Sequence, residues 1–152
     1  MTSPTDRARL AFLKLHDTLY QRSNGWIGHR LPFAPPMLLL HSVGAKTGQL
    51  RTHSLAYYRD GNDYLIVGSN GGTPRNPAWY HNLRAHPNVE INLGPKRIPV
   101  TARVVLPDDP DYARLWKICD DENAGRYSAY QKLTTRPIPI VRLVHVIAPR
   151  LR

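Results

Sequence analysis

A glycine-bounded turn, Gly44-Ala-Lys-Thr-Gly48, carries residue types that bind anions, and Arg51 follows it at the start of a predicted strand. Glycines let backbone N–H groups approach a ligand closely, Lys46 supplies a positive charge and Thr47 supplies a hydroxyl. Arg51 can add a forked contact to a phosphate or a carboxylate. The spacing differs from that of a P-loop, which requires Gly-x-x-x-x-Gly-Lys-Ser/Thr. The pattern predicts either an anion-binding site or an ordinary turn between two strands.

A second group lies where a predicted strand breaks at Ser69-Asn-Gly-Gly72 and a helix follows. Asn76 is expected to cap this helix, and Pro77 is expected to be its first helical residue. A helix that begins after a glycine break can direct its free backbone N–H groups at a ligand. Trp79 and Tyr80 add flat surface, which either contacts that ligand or anchors the helix on the core.

Tyr127 and Tyr130 form a third group, because residues three apart share one face of a helix. Phenol rings stack on planar ligands, and their hydroxyls can donate a hydrogen bond to a developing oxyanion. Ordinary packing against the core is the alternative. The pair therefore predicts either a face that binds substrate or a face that supports the fold.

Other forms of catalysis find little support in this chain. The seven histidines show no metal-ligand spacing, and His41 and His145, which lie in apolar strands, are expected to be buried structural residues. There is no Gly-x-Ser-x-Gly elbow, which argues against a serine hydrolase. There is no Gly-x-Gly-x-x-Gly, which argues against a Rossmann dinucleotide site. We therefore expect no metal site and no protein nucleophile.

The net charge of +10 implies an anionic partner, such as a nucleic acid, an acidic lipid or a phosphorylated cofactor. No acidic residue lies between Asp17 and Asp60, whereas six of the eleven lie from Asp108 to Glu122, so the positive field belongs mainly to the first two-thirds of the chain. No RNP motif, zinc finger or clear helix-turn-helix is present, and no nucleic-acid partner is expected. The single cysteine, Cys119, suits a reducing cytoplasm.

The helices and strands that must position these residues can also be predicted, and they indicate one α+β domain over residues 1–152. Residues 1–22 are expected to form an amphipathic helix, which packs on the core or rests on anionic lipid, and residues 23–36 a linker. No run of 18 apolar residues is present, so no membrane-spanning helix is expected. Consecutive hairpins favour a mostly antiparallel sheet over residues 37–147, which closure into a small barrel would free of exposed edges. Predicted strands lie at 37–43, 51–59, 63–69, 89–93, 97–106 and 138–147, and predicted helices at 76–86, 110–119 and 127–133.

Taken in order, several segments give the chain a specific resemblance over about residues 37–145. The matching segments are Leu38–Gly48, Arg51, Asn76–Leu83, Ala85–Val89, Thr101–Arg103, Tyr130-Gln131 and Arg136–Ile140. Together they are similar to the deazaflavin-dependent nitroreductase family, which are F420-dependent oxidoreductases of mycobacteria and related actinobacteria. The resemblance implies a small, mostly antiparallel split β-barrel with peripheral helices, related to the FMN-binding oxidases. It also implies transfer of hydride from F420H2 to a quinone, a nitroaromatic or an activated C=C acceptor.

The resemblance also implies which residues contact the cofactor and the acceptor. Ala45, Lys46 and Thr47 would meet the phosphate and the acidic tail of F420. The residues beside them on the second strand would be Arg51, Thr52, His53, Ser54, Leu55 and Ala56. Val67, Gly68, Ser69 and Asn70 would line the deazaflavin ring, as would Ala78, Trp79, Tyr80, His81 and Asn82. Tyr127 would cover the ring, and Ser69, Tyr127 and Tyr130 would orient the acceptor.

Some alternatives stay open at this point. An oxidoreductase of the same fold could use FMN, because the cationic patch fits either phosphate. The charge alone would also suit a basic nucleic-acid-binding protein. The resemblance allows a monomer or a homodimer, and it allows a cytoplasmic protein whose N-terminal helix makes peripheral contact with the membrane.

Overall fold

The computed structural model of the chain describes residues 35–146. Some predictions fall outside the described residues: the helix at 1–22, most of the linker at 23–36 and residue 147. Within residues 35–146, no helix is long and apolar enough to cross a membrane. The seven described strands are β1 (Met37–Val43), β2 (Leu50–Ala56), β3 (Tyr58–Asp60), β4 (Asp63–Val67), β5 (Asn88–Leu93), β6 (Lys96–Val105) and β7 (Ile140–His145).

The strands form a single sheet in the order β2-β1-β5-β6-β7-β4-β3, and every pairing in it is antiparallel. In a flat sheet of seven strands, β2 and β3 would lie about 29 Å apart. Only Tyr57 separates them along the chain. The sheet must therefore curl until its two edges meet, which confirms the predicted split β-barrel.

The strand predicted at 51–59 is wrong in one respect, because the structure divides it at Tyr57 into β2 and β3. The N–H of Tyr57 donates to the carbonyl of Pro36 at 3.1 Å, which is the next pair in the β1–β2 register, and from Tyr58 on the chain pairs with β4 instead of β1. Tyr57 and Tyr58 are both buried, although successive side chains of a straight strand point to opposite faces. Each enters a different part of the core, Tyr57 the barrel interior and Tyr58 a second cluster outside it.

The two parts of the core lie on opposite faces of the sheet. Along β4, Tyr64 and Ile66 enter the barrel interior, whereas Leu65 and Val67 enter the outer cluster. Successive side chains of a strand point to opposite faces of the sheet, so a strand that is buried on both faces contributes alternately to the two clusters. Within the described residues, three α-helices accompany the sheet: α1 (Ala78–Ala85), α2 (Tyr112–Glu122) and α3 (Arg126–Gln131).

Two local predictions differ from the structure. The helix after the glycine break begins at Ala78, so Pro77 occupies the cap position, and the Asn76 side chain accepts a hydrogen bond from Arg136 at 2.7 Å. His145 is exposed, because β7 buries its side chains only as far as Leu143, and the apolar pattern continues past the end of the core. The other histidine, His41, was also expected to be buried but is half-buried, with ring nitrogens that contact Thr52 and Asn92.

An ion-pair network holds the β3–β4 hairpin against β7 and α2. Asp60 accepts hydrogen bonds from Arg114 at 2.8 Å and from Arg142 at 2.9 Å, and Asp63 accepts one from Arg142 at 2.7 Å. The hydrogen bonds from these two guanidinium groups lower the pKa of the Asp60 carboxyl from its usual 3.8 to about 2. The network therefore stabilises the folded chain only while Asp60 is ionised.

Acid should remove this stabilisation. Because the folded pKa of Asp60 lies below the unfolded one, its contribution is present above pH 3.8 and lost as the pH falls through about 2. We expect Asp60→Asn to lower the free energy of unfolding at neutral pH by about 1–2 kcal/mol. Urea unfolding between pH 2 and 7 measures both. Asp111→Asn, whose carboxylate lies 3.6 Å from Arg114 and is half exposed, is the control and should change little. An equal loss in both variants would contradict the assignment.

Candidate active site

The turn between β1 and β2 has the compact form that its glycines predict. The N–H of Gly44 donates to the carbonyl of Gln49 at 2.8 Å, and the N–H of Gly48 donates to the carbonyl of Gly44 at 2.9 Å. Gly48 has a φ of +69°, which L side chains rarely adopt. The Thr47 hydroxyl oxygen accepts a hydrogen bond from the Gln49 N–H, so it also serves the turn itself. Lys46 is left exposed at the tip.

Asn82 fastens this turn to helix α1. Its side chain is buried, its Oδ1 accepts a hydrogen bond from the Ala45 N–H at 2.9 Å, and its Nδ2 donates to the Ser42 hydroxyl at 3.2 Å. The Ala45 N–H is thus used inside the protein. Asn82 therefore sets where the Lys46 charge lies relative to α1.

Two substitutions of Asn82 should distinguish the loss of its hydrogen bonds from the effect of a negative charge on anion binding. Asn82→Ala removes both bonds and leaves buried polar groups unpaired, so the free energy of unfolding should fall by about 1–3 kcal/mol. Asn82→Asp keeps acceptors for the Ala45 N–H and the Ser42 hydroxyl but adds a negative charge. It should remain more stable than the alanine variant and still bind anions less tightly than the wild type. Urea unfolding and anion titration measure these effects. Asn88→Ala, at an exposed pair with Thr101, is the control. A wild-type anion affinity in Asn82→Asp would contradict this prediction.

A cavity of about 600 Å³ opens beside the turn, where three separate segments meet. They are the turn itself, the first half of β2 and the first turn and a half of α1. Among the described residues, its lining is cationic and holds no acidic side chain. The lining residues are Gly44, Ala45, Lys46, Thr47, Arg51, His53, Ala78, His81 and Asn82. All except Gly44 were predicted as cofactor contacts, so the structure brings together residues that are up to 38 positions apart in the chain.

Other predicted contacts do not line this cavity. On β2, Thr52 faces the opposite way from Arg51 and bonds to His41. Trp79 and Tyr80 are buried in the barrel interior, which favours the alternative that they anchor α1. The remaining β2 residues that do not line it are Ser54, Leu55 and Ala56. A bound cofactor would contact these three residues only if it extended beyond this cavity.

The predicted ring-side residues lie on the segment that joins β4 to α1. Val67 and Gly68 are buried, Ser69 is half-buried and Asn70 is exposed. A 3₁₀ turn follows, and Asn70, Gly71 and Gly72 have φ values of +45°, +65° and +79°. A Cβ at Gly72 would lie 2.6 Å from the carbonyl oxygen of Tyr130, so α3 packs directly on this turn. The ring-side segment (residues 68–76) and α3 are therefore neighbours, as the predicted site requires.

The two tyrosines of α3 share a face, as predicted, but differ in environment. Their ring centroids lie 6.5 Å apart. Tyr127 is buried, and its hydroxyl bonds to the Tyr58 hydroxyl at 2.8 Å. Burial raises the pKa of both phenols, that of Tyr58 to about 12. Tyr127 therefore belongs to the outer core cluster, whereas Tyr130 is half-buried beside the ring-side segment.

Arg136 was not among the predicted site residues, yet its side chain makes four hydrogen bonds to the ring-side segment. Its guanidinium donates to the carbonyl oxygens of Gly68 at 3.1 Å, Ser69 at 2.7 Å and Thr73 at 2.9 Å, and to Asn76 Oδ1 at 2.7 Å. Three of these acceptors are backbone atoms, which sequence patterns do not mark. The only signal was its place in a matching segment of the family resemblance.

Known proteins resemble this chain in sequence and in fold. The family model for F420H2-dependent quinone reductases matches residues 12–145. An F420H2-dependent quinone reductase of Mycobacterium tuberculosis is 64% identical over 131 residues, which cover 86% of this chain and 88% of the relative. The solved structure of an F420H2-dependent reductase, FDR-A, is 33% identical and covers 71% of this chain and 93% of its own, with a TM-score of 0.63. A second, described as a domain-swapped dimer, is 31% identical and covers 93% and 99%, with a TM-score of 0.65. The predicted resemblance is thus confirmed, and the chain belongs to the F420H2-dependent quinone reductase family.

Proposed function

We propose that the cationic cavity beside the β1–β2 turn holds the phosphate and the oligoglutamate tail of F420. One observation carries this proposal: a cavity of about 600 Å³ is lined by Lys46, Arg51, His53 and His81 and by no acidic side chain of residues 35–146. F420 is strongly anionic at this end, so a cationic lining without acids is the chemistry that it requires. The residues present therefore fit the cofactor that the family uses.

The ring-side segment and α3 then serve the acceptor. Bound F420H2 supplies hydride from carbon C5 of its deazaflavin ring. Gly68, Ser69 and Asn70 orient the ring, and the half-buried Ser69 and Tyr130 hydroxyls orient the acceptor and donate hydrogen bonds to the oxygen on which charge develops. Tyr127 supports the position of Tyr130 by packing against its ring.

The acceptor that we propose is a quinone. The family model and the 64% identical relative both carry that activity in their names. A quinone oxygen becomes negatively charged during reduction, which suits hydroxyl donors at Ser69 and Tyr130. Nitroaromatic compounds and activated C=C bonds are the alternative acceptors that an assay must include.

A fluorescence titration of the full chain with F420, beside FMN at the same ionic strength, tests the cofactor site. We expect saturable binding of F420, weakened by added salt because Lys46 and Arg51 are exposed, and weaker binding of FMN. F420H2 oxidation with menadione, a nitroaromatic and an activated enone then tests the acceptor. Preference for FMN would overturn the cofactor assignment, and preference for the enone would overturn the quinone assignment.

We further propose that the enzyme works in the cytoplasm as a homodimer and touches the membrane surface through residues 1–22. The structure of the relative described as a domain-swapped dimer supports a dimer, and the basic, amphipathic sequence of 1–22 supports the contact with anionic lipid. Light scattering after size-exclusion chromatography measures the assembly. Co-sedimentation with anionic and with neutral vesicles measures the contact, which equal binding to both would contradict.

A further inference from the structure

We propose that Arg136 is a positioning residue for hydride transfer, which it serves by holding the ring-side segment in the conformation that orients the deazaflavin ring. This inference rests on the proposed function, because that function places the ring beside Gly68, Ser69 and Asn70. Arg136 itself need not touch the cofactor or the acceptor. Its side chain is instead joined to the segment by the four hydrogen bonds described above.

The ring-side segment needs an external support. Three successive residues, Asn70, Gly71 and Gly72, have positive φ, and Asn70 is a residue type that adopts such angles at a cost. Glycines also lose more conformational freedom on ordering than other residues. Within the segment, two backbone hydrogen bonds, from Gly72 N–H to Ser69 O at 2.8 Å and from Thr73 N–H to Asn70 O at 3.3 Å, and three side-chain bonds of Asn70 and Thr73 support the turn itself. None of these five bonds reaches Gly68 or Asn76, so it is the bonds from Arg136 that tie the two ends of the segment together.

Arg136 is itself anchored by α3. The Gln131 Nε2 donates to the Arg136 carbonyl at 2.8 Å, and the Gln131 Oε1 accepts a hydrogen bond from the Ile138 N–H at 3.0 Å. These bonds fix the loop that presents the guanidinium. The helix that carries Tyr130 and the segment that carries Ser69 are thus held in one frame, so acceptor and ring keep a constant distance.

The chemistry of the contact requires an arginine. Its acceptors lie in several directions around a planar fork, which a lysine ammonium on a flexible stem cannot serve at once. Among the described residues, no carboxylate pairs with Arg136, and its acceptors are three carbonyls and one amide. Partial burial lowers the pKa of Arg136. An arginine guanidinium nevertheless stays protonated in proteins. Its positive charge therefore also favours the negative charge that develops on the acceptor.

The test compares Arg136→Lys with Arg142→Lys, both in the full chain. Arg142 is a matched control, because it is also a half-buried arginine, with a side chain that is 12% exposed, but its hydrogen bonds go to Asp60 and Asp63, away from the site. We expect Arg136→Lys to accelerate amide hydrogen exchange at residues 69–73 at least tenfold in the protein without cofactor. At saturating F420H2, kcat should fall by about 10- to 100-fold, because small misplacements of reacting groups have effects of that size. Arg142→Lys should lower the melting temperature and leave both quantities within twofold of the wild type.

Two outcomes would overturn the inference. Wild-type exchange at 69–73 in Arg136→Lys would show that the segment holds itself, and an equal loss of kcat in both variants would show only general destabilisation. If Arg136→Lys does not fold, Asn76→Ala removes one of the four bonds and should show the same changes to a smaller degree. Should the wild type fail to bind F420, the proposed function fails. The exchange comparison would still show whether Arg136 orders the segment.

Discussion

Replacing both Lys46 and Arg51 with glutamate is expected to weaken F420 binding at least 100-fold and to leave the fold intact. Each cation gives a charge-assisted contact of about 1.5–3 kcal/mol, and its reversal adds repulsion, so a loss of 2.7 kcal/mol or more, which is about 100-fold, is a lower bound. Both side chains are exposed. The free energy of unfolding should therefore change by less than about 0.5 kcal/mol. Fluorescence titration and urea unfolding measure the two quantities.

The control for this experiment reverses two other exposed lysines, Lys96 and Lys117. It changes the net charge by the same amount, but neither residue lines the cavity. The register of β1 with β5 places the β5–β6 turn, and with it Lys96, at the end of β1 away from the 44–48 turn. A similar loss of affinity in the control would show that F420 responds to the overall field and not to this cavity.

Gly72→Ala should be among the most damaging single substitutions in the described chain, and Gly71→Ala should be much milder. At both positions the positive φ costs a non-glycine residue roughly 1–2 kcal/mol. At Gly72 the new Cβ would also lie 2.6 Å from the Tyr130 carbonyl, whereas at Gly71 it would meet nothing within 4 Å. We therefore expect Gly72→Ala to cost about 3 kcal/mol or more, through strain plus the collision.

Urea unfolding separates the two glycine variants, and kinetics shows what the collision displaces. If α3 moves away from the ring-side segment, Gly72→Ala should lose quinone reduction at temperatures where it is still folded, whereas Gly71→Ala should retain most of it. Equal stability of the two variants would mean that the contact between Gly72 and Tyr130 does not hold α3 in place.

Most strands and helices follow from local signals. Apolar runs bounded by glycine, proline or Asp-Gly turns predicted β1, β4, β5 and β6 to within a residue or two, because these strands end where the turn chemistry begins. The division at Tyr57 had no such signal. Tyrosine suits a strand, and the break arises because the chain changes its pairing partner there, from β1 to β4, and passes from one core cluster to the other. Those are tertiary features, which no window of sequence contains.

Some residues of the candidate site could likewise be predicted from the sequence, and others could not. Lys46, Arg51 and Asn82 were predicted from residue type and family resemblance, and the structure brings them to one cavity. For Trp79 and Tyr127 the sequence left two alternatives open, because an aromatic residue on an amphipathic helix has the same pattern whether it faces a ligand or the core. Arg136 was missed because its partners are carbonyl oxygens, which every residue carries.

The strand order has a consequence for how the chain becomes an enzyme during synthesis. β7 is the last of the seven strands along the chain, yet it lies between β6 and β4 inside the sheet. Until it emerges and inserts, β4 and β6 each present an unpaired edge, which is a template for aggregation. The residues that line the cationic cavity all lie within 44–82, but α1 is anchored in the barrel interior, where Trp79 and Tyr80 share a core with Val141 and Leu143 of β7. The cavity that we propose for the anionic tail of F420 therefore takes its final form only when the last strand closes the barrel, as does the ring-side segment that Arg136 holds.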